Sequence, residues 1–108
     1  MLAKFGGLWP ALLTPLDQDG KPALAVAERL TDRLIQEGLD GLYVVGSTGQ
    51  WPLLTFAERC AIAECVVQAT AGRIPIMIHV GASSTAESVA LARHAKAIGA
   101  DAVSAVAP

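Results

Sequence analysis

Basic residues are too few and too scattered to build a nucleic-acid surface. Eight lysines and arginines stand against ten acidic residues, the net charge is -2, and neither sign clusters. Binding a polyanion needs a basic face, so no nucleic-acid partner is expected. Cysteine is scarce as well. Cys60 and Cys65 lie five apart in one helical pattern, face different sides of it, and are not expected to pair with each other. With no secretory leader evident, this fits a reducing cytoplasm. Long hydrophobic runs are missing too: residues 8–13 and the other apolar stretches fall well short of the roughly 20 residues that span a bilayer, and no membrane partner is expected. No group of His, Cys, Asp and Glu has metal-ligand spacing. Neither a metal nor a cofactor is expected.

Apolar residues are plentiful. At 53% hydrophobic the chain can build a core, and 108 residues suggest one domain. Alanine is frequent, which lets helices pack close to a sheet. Residues 8–13 are the first strand candidate, although Pro10 removes a ladder donor there. Asp17 to Pro22 is a loop by its local signals. Residues 23–37 repeat at helical spacing, with Leu24, Ala27, Leu30, Thr31, Leu34 and Ile35 on one face and Gly38 as the C-terminal cap. Residues 39–45 form the second strand. Thr55 and Glu58 read as a capping box opening a helix over residues 56–70, stopped by Gly72. Residues 74–80 make the third strand, with Pro75 near its start. Ser84 and Glu87 form another capping box, and the third helix ends at Ile98 before Gly99. Residues 102–106 are the fourth strand.

The chain repeats. GLDGLYVV from Gly38 matches GADAVSAV from Gly99: each time a helix ends in glycine, and an aspartate leads into an apolar strand. Such βα units imply a parallel sheet buried by helices. Two closures fit, a doubly wound sheet or a piece of an eight-unit barrel. Four strands with three helices make a poor closed object, so the chain reads as truncated.

One stretch carries the chemistry, GLYVVGSTGQWP at residues 41–52. A buried-type strand turns directly into Gly46, Ser47, Thr48 and Gly49, and a helix follows. Two glycines relieve the steric limits on the backbone, and the hydroxyls and amides between them can hold a small anion at the carboxyl end of a parallel strand. A plain βα connection has the same composition. The loop lacks the lysine and the length of a nucleotide phosphate loop. His79 ends a strand and reads as a bonded core histidine or a substrate contact. Tyr43 reads as core with its hydroxyl satisfied. Trp51 reads as a pocket wall or a subunit contact, and His94 as solvated.

Residues 8–108 resemble the N-terminal part of the pyruvate-dependent class I aldolases, the N-acetylneuraminate lyase and dihydrodipicolinate synthase family. The matching segments are ALLTP from Ala11, GLYVVGSTG from Gly41 with Leu54, Thr55, Glu58 and Arg59, HVG from His79 with STAE from Ser84, and GADAVSAVAP from Gly99. The resemblance implies the N-terminal half of a (β/α)8 TIM barrel, ending after the fourth strand. Residues 1–108 are then a partial barrel domain, and the parent is a homotetramer. It implies a Schiff-base lyase that cleaves or forms a C–C bond to pyruvate. Ser47 is its catalytic proton-relay residue, and Gly46, Ser47, Thr48 and Gly49 hold the pyruvate carboxylate. The family's lysine and tyrosine fall beyond Pro108, so the fragment alone is expected to be inactive. GLY before the loop, serine at position 47 and HVG lean toward the lyase branch and a 2-oxo acid sugar. The synthase, another 2-oxo acid aldolase and a non-catalytic half-barrel remain alternatives. Gln50 departs from the glutamate that usually closes this loop. If that glutamate only accepts hydrogen bonds that brace the loop, glutamine keeps one oxygen and loses the charge; if it balances a cation, glutamine leaves the cation without its partner.

Overall fold

The computed structural model describes residues 5–46 and 48–105. Three parallel strands, β1 (Leu42–Val44), β2 (Ile76–His79) and β3 (Ala102–Ser104), lie side by side in chain order. Three helices connect or precede them: α1 (Leu24–Gln36), α2 (Phe56–Thr70) and α3 (Thr85–Ile98), with a 3-10 turn at Trp51–Leu53 before α2. The parallel, sequential order agrees with the sequence expectation. Leu42, Tyr43 and Val44 pair with Ile76, Met77 and Ile78, while Met77, Ile78 and His79 pair with Ala102, Val103 and Ser104.

The expected first strand is reduced to a single parallel bridge, Ala11 to Tyr43. Leu12 N donates to Tyr43 O at 2.8 Å, and Tyr43 N donates to Pro10 O at 3.1 Å. Pro10 uses its one ladder-competent group, the carbonyl, and its missing N–H interrupts the ladder at that point. β3 is likewise shorter than expected, and Val106 lies outside the described residues.

Strand alternation sorts the side chains. Leu42, Val44, Ile76 and Ile78 are buried in a core with Ala27, Ile62, Ala63, Val66, Leu91 and Ala95 of the helices. Tyr43, Met77, Ala102 and Ser104, on the opposite face, are half-buried. In α1 the expected face holds in its middle: Ala27 and Thr31 are fully buried, Leu30, Leu34 and Ile35 are half-buried, and Leu24 at the start of the helix is exposed; Thr31 returns its hydroxyl to Ala27 O at 2.8 Å. At α2, Thr55 and Glu58 make both bonds of the capping box. At α3, Ser84 accepts from Glu87 N at 3.2 Å. Gly38 and Gly99 follow their helices at φ of 87° and 94°, and Gly72 does so one residue after Ala71, itself at 50°.

The repeat has a structural cause. Asp40 Oδ2 accepts from Leu8 N at 2.8 Å, and Asp40 N donates to Leu8 O at 3.0 Å. Asp101 does the same to Ile76, at 2.8 and 2.9 Å. Each aspartate is a two-point clamp, Asp101 on the first residue of β2 and Asp40 on Leu8 in the segment before β1. It sets the neighbouring strand's register from the amino end, leaving the carboxyl ends to the loops.

Candidate active site

The candidate loop leaves the carboxyl end of β1. Its backbone turns sharply at Val45, a β-branched residue at φ 56°, and again at Gln50, at φ 62°. Neither Gly46 nor Gly49 has positive φ. The glycines therefore serve another purpose than the backbone freedom expected of them: both are sites of close approach. A Cβ on Gly49 would stand 3.0 Å from Val45 Cα and 3.1 Å from both Leu12 O and Thr14 Oγ1. A Cβ on Gly46 would press on the Tyr43 ring at 3.3 Å. Both glycines are buried and Thr48 is exposed between them and solvent. Ser47 lies outside the described residues. A left-handed valine costs on the order of 1–3 kcal/mol, and the surrounding contacts must hold it in place.

Those contacts centre on a residue that the sequence reading did not weigh singly. Arg59, in the first turn of α2, is 2% exposed. Its Nη1 donates to Gly81 O at 2.8 Å and its Nη2 to His79 O at 2.9 Å. Nη2 also meets His79 Nδ1 at 3.3 Å, and the guanidinium lies 5.1 Å from the centre of the Trp51 ring. Arg59 Nε is the one buried side-chain nitrogen or oxygen among the described residues without a hydrogen-bond partner. One arginine thus ties the start of α2 to the end of β2 and to the turn after the candidate loop. The available signal was its spacing: Arg59 shares the helical face of Ile62, Ala63 and Val66, where a charge must have internal partners.

His79 is 1% exposed, so it is a bonded core histidine. Its ring lies 5.2 Å from that of Trp51 and 6.5 Å from that of Tyr43. Burial pushes its pKa below the ordinary value and the Arg59 charge adds to this, while a hydrogen bond with the Val45 backbone opposes both. The neutral ring therefore accepts from Arg59 at Nδ1 and also hydrogen-bonds the Val45 backbone. His79 thereby secures the strained root of the loop. Burial also lowers the Arg59 pKa, opposed by Glu87 and Cys60; the guanidinium remains the cation of the site. Trp51 is half-buried against Arg59 and His79. Tyr43 is half-buried, and its hydroxyl accepts from Ser104 Oγ at 2.7 Å. His94, expected to be solvated, instead joins α3 to α2 through Glu64 at 2.8 Å.

Cys60 and Cys65 are free thiols, with pKa values raised first by burial. Among the described residues no His, Cys, Asp and Glu group could hold a metal ion, and no helix is long and apolar enough to cross a membrane. An open groove of about 340 Å³ between α1 and α2 touches none of the loop residues.

A model of the dihydrodipicolinate synthetase family matches residues 4–108. The chain belongs to that family. Among its curated relatives, 4-hydroxy-tetrahydrodipicolinate synthase of Gluconacetobacter diazotrophicus is 46% identical over 104 residues, covering 96% of this chain and 35% of that protein. N-acetylneuraminate lyase of Escherichia coli K12 is 46% identical over 108 residues, covering all of this chain and 36% of the lyase. Among solved structures, N-acetylneuraminate lyase of Mycoplasma synoviae superposes with a TM-score of 0.94 at 37% identity, over 97% of this chain and 36% of that one. The chain thus spans about a third of the length of the relatives it matches. The fold of this dihydrodipicolinate synthetase family member is α/β, as its three parallel strands require, and its relatives include lyases and synthases alike.

The buried histidine makes a pH dependence expected for this family member. The His79 pKa lies below its unfolded value of about 6.5. As pH falls through 6.5, the unfolded chain takes up the proton first. The stabilisation is complete above that pH and is lost as pH falls toward the folded pKa. In a chimera joining residues 1–108 to the remaining two-thirds of the E. coli lyase, Tm should fall between pH 7 and pH 5, and His79→Gln should flatten that slope. An equal slope in both proteins would contradict the assignment of His79.

Proposed function

We propose that residues 1–108 form the amino-terminal half of a (β/α)8 barrel in a Schiff-base aldolase. In this reading, the segment before β1 together with β1, β2 and β3 supplies four staves, and the loop at 46–49 binds the carboxylate of a 2-oxo acid. The observation that carries the reading is this loop. Two buried glycines pack against Tyr43, Val45, Leu12 and Thr14 and set Thr48 exposed after the carboxyl end of a parallel strand, the end at which barrels of this kind do their chemistry. Family membership and the half-buried second face of the sheet support it.

The chemistry follows from the parts. A lysine supplied by the longer chain attacks the ketone and releases water, forming an iminium. The C–C bond next to the iminium carbon's methylene breaks, and its electron pair moves into an enamine. The departing hydroxyl gives up its proton and leaves as an aldehyde. Protonation of the enamine and hydrolysis release pyruvate and free the lysine. Ser47 and Thr48 donate hydrogen bonds to the carboxylate, where charge-assisted bonds are about twice as strong as neutral ones, and Ser47 passes a proton toward the tyrosine at the substrate hydroxyl. Arg59 and His79 keep the loop in place beneath them.

Within the family, we favour cleavage of N-acetylneuraminate to N-acetylmannosamine and pyruvate. The support is GLY before the loop, serine at position 47 and HVG at residues 79–81. The two curated relatives do not separate the lyase from the synthase, being 46% identical each. The parent is read as a cytoplasmic homotetramer, in keeping with two free thiols whose burial disfavours the reactive thiolate. The chimera tests the reading: it should release pyruvate from N-acetylneuraminate. A folded chimera without activity toward any 2-oxo acid aldol would refute it and favour a non-catalytic half-barrel.

A further inference from the structure

Resting on the reading of the 46–49 loop as a carboxylate site, we propose that Tyr43 and Ser104 form a hydroxyl pair that positions this loop. Tyr43 is the middle residue of β1 and Ser104 the last of β3. They are 61 residues apart in sequence and bridge across β2 through a 2.7 Å hydrogen bond. Register explains the meeting. Tyr43 pairs with Met77, and Ser104 pairs with His79. Both side chains therefore project from the half-buried face, with Ser104 two strands over and two residues nearer the carboxyl ends. The long phenol closes that gap.

The upper side of the same ring supports the loop. The Cβ position of Gly46 lies 3.3 Å from Tyr43 Cε1 and Cζ and 3.6 Å from its hydroxyl oxygen. A side chain at position 46 would force the ring to give by a few tenths of an ångström, so glycine suits a loop that descends onto the phenol this closely. A Tyr43 ring that tilts carries Gly46 with it, and the next two residues are the proposed donors. Ser104 restrains that tilt, because its hydroxyl donates to the phenol oxygen and fixes the ring at its far end. Accepting this bond also directs the phenol's own proton away from Ser104, so both hydroxyls have a defined polarity. The pair is a positioning element: it acts on the carboxylate through the loop.

The experiment uses the chimera with the E. coli lyase and three variants, Tyr43→Phe, Ser104→Ala and the double substitution. Both single changes keep the ring or the backbone and remove the same bond. Each should raise KM for the 2-oxo acid about two- to tenfold, the range set by one hydrogen bond, with kcat within twofold of the parent. The double variant should be no worse than either single, because there is one interaction to lose. A fall in Tm with KM unchanged would overturn the proposal by making the pair purely structural. A fall in kcat with KM unchanged would overturn it by placing the hydroxyl on the reacting atoms. Amide exchange gives a readout free of the chemistry: residues 46–51 should exchange about two- to tenfold faster in both single variants while β2 is unchanged. Equal exchange rates would overturn the proposal. If the unsubstituted chimera binds no 2-oxo acid, the functional reading fails, and exchange still decides whether the pair holds the loop.

Discussion

Arg59→Ala should destabilise a folded protein carrying this chain by about 2–4 kcal/mol. The guanidinium is 2% exposed and donates to the carbonyls of Gly81 and His79. Alanine leaves both carbonyls and His79 Nδ1 in the interior without that donor, and each buried group that loses its partner costs about 1–3 kcal/mol. The stacking on Trp51, worth about 0.5–2 kcal/mol, is lost as well. These losses are offset in part, because a buried cation with neutral partners carries a desolvation cost that alanine removes. The net should nonetheless be large beside a typical domain stability of about 5–15 kcal/mol. Arg59→Lys should recover little, since an ammonium cannot reach two carbonyls and a ring nitrogen with a planar fork. Denaturant midpoints of the chimera and its variants measure this. A loss below about 1 kcal/mol for Arg59→Ala would mean that the helix and strand are joined by other contacts.

The second large effect falls on the loop itself. Thr48→Val keeps the shape of the side chain and removes its donor. Losing a hydrogen bond to a charged group costs about 1.5–3 kcal/mol, so KM for the 2-oxo acid should rise about tenfold to a hundredfold. A carboxylate bond present in ground and transition state alike raises KM and leaves kcat nearly unchanged. Ser47→Ala should behave differently. In the proposed mechanism its hydroxyl serves both the carboxylate and the proton relay, so kcat should fall as well. Steady-state kinetics of both variants in the chimera separate the two roles. Near-parental constants in both would reduce the loop to a turn that binds nothing.

The parallel sheet was legible because two kinds of signal agree. Continuous apolar runs mark strands buried on both faces, and the glycine–aspartate repeat marks their spacing. That repeat proved to be a pair of backbone clamps, Asp40 on Leu8 and Asp101 on Ile76. The first strand was over-read because the apolar pattern of residues 8–13 carries no information on how many backbone groups find partners once Pro10 is present. The loop glycines were located correctly and explained wrongly: composition points to backbone freedom, whereas the geometry shows close approach, with Val45 and Gln50 taking the left-handed turns. Arg59 and the Tyr43–Ser104 pair were not legible as contacts, since both join residues from different βα units. Local patterns show which face a residue occupies. Only the sheet register shows what stands opposite. Gln50 is exposed, and its side chain has no hydrogen bond to Arg59 among the described contacts. The unpartnered Nε of Arg59 is the position at which an acidic neighbour would matter most.

The central claim is that this chain supplies the carboxylate half of a Schiff-base site. The most direct measurement is a crystal structure of the chimera after treatment with pyruvate and borohydride, which reduces the iminium to a stable secondary amine. The account predicts a pyruvyl adduct on a lysine of the E. coli portion, with its carboxylate oxygens within hydrogen-bonding distance of Ser47 and Thr48 and Tyr43 packed beneath Gly46. An adduct whose carboxylate is held elsewhere, with residues 46–49 turned away from it, would contradict the claim.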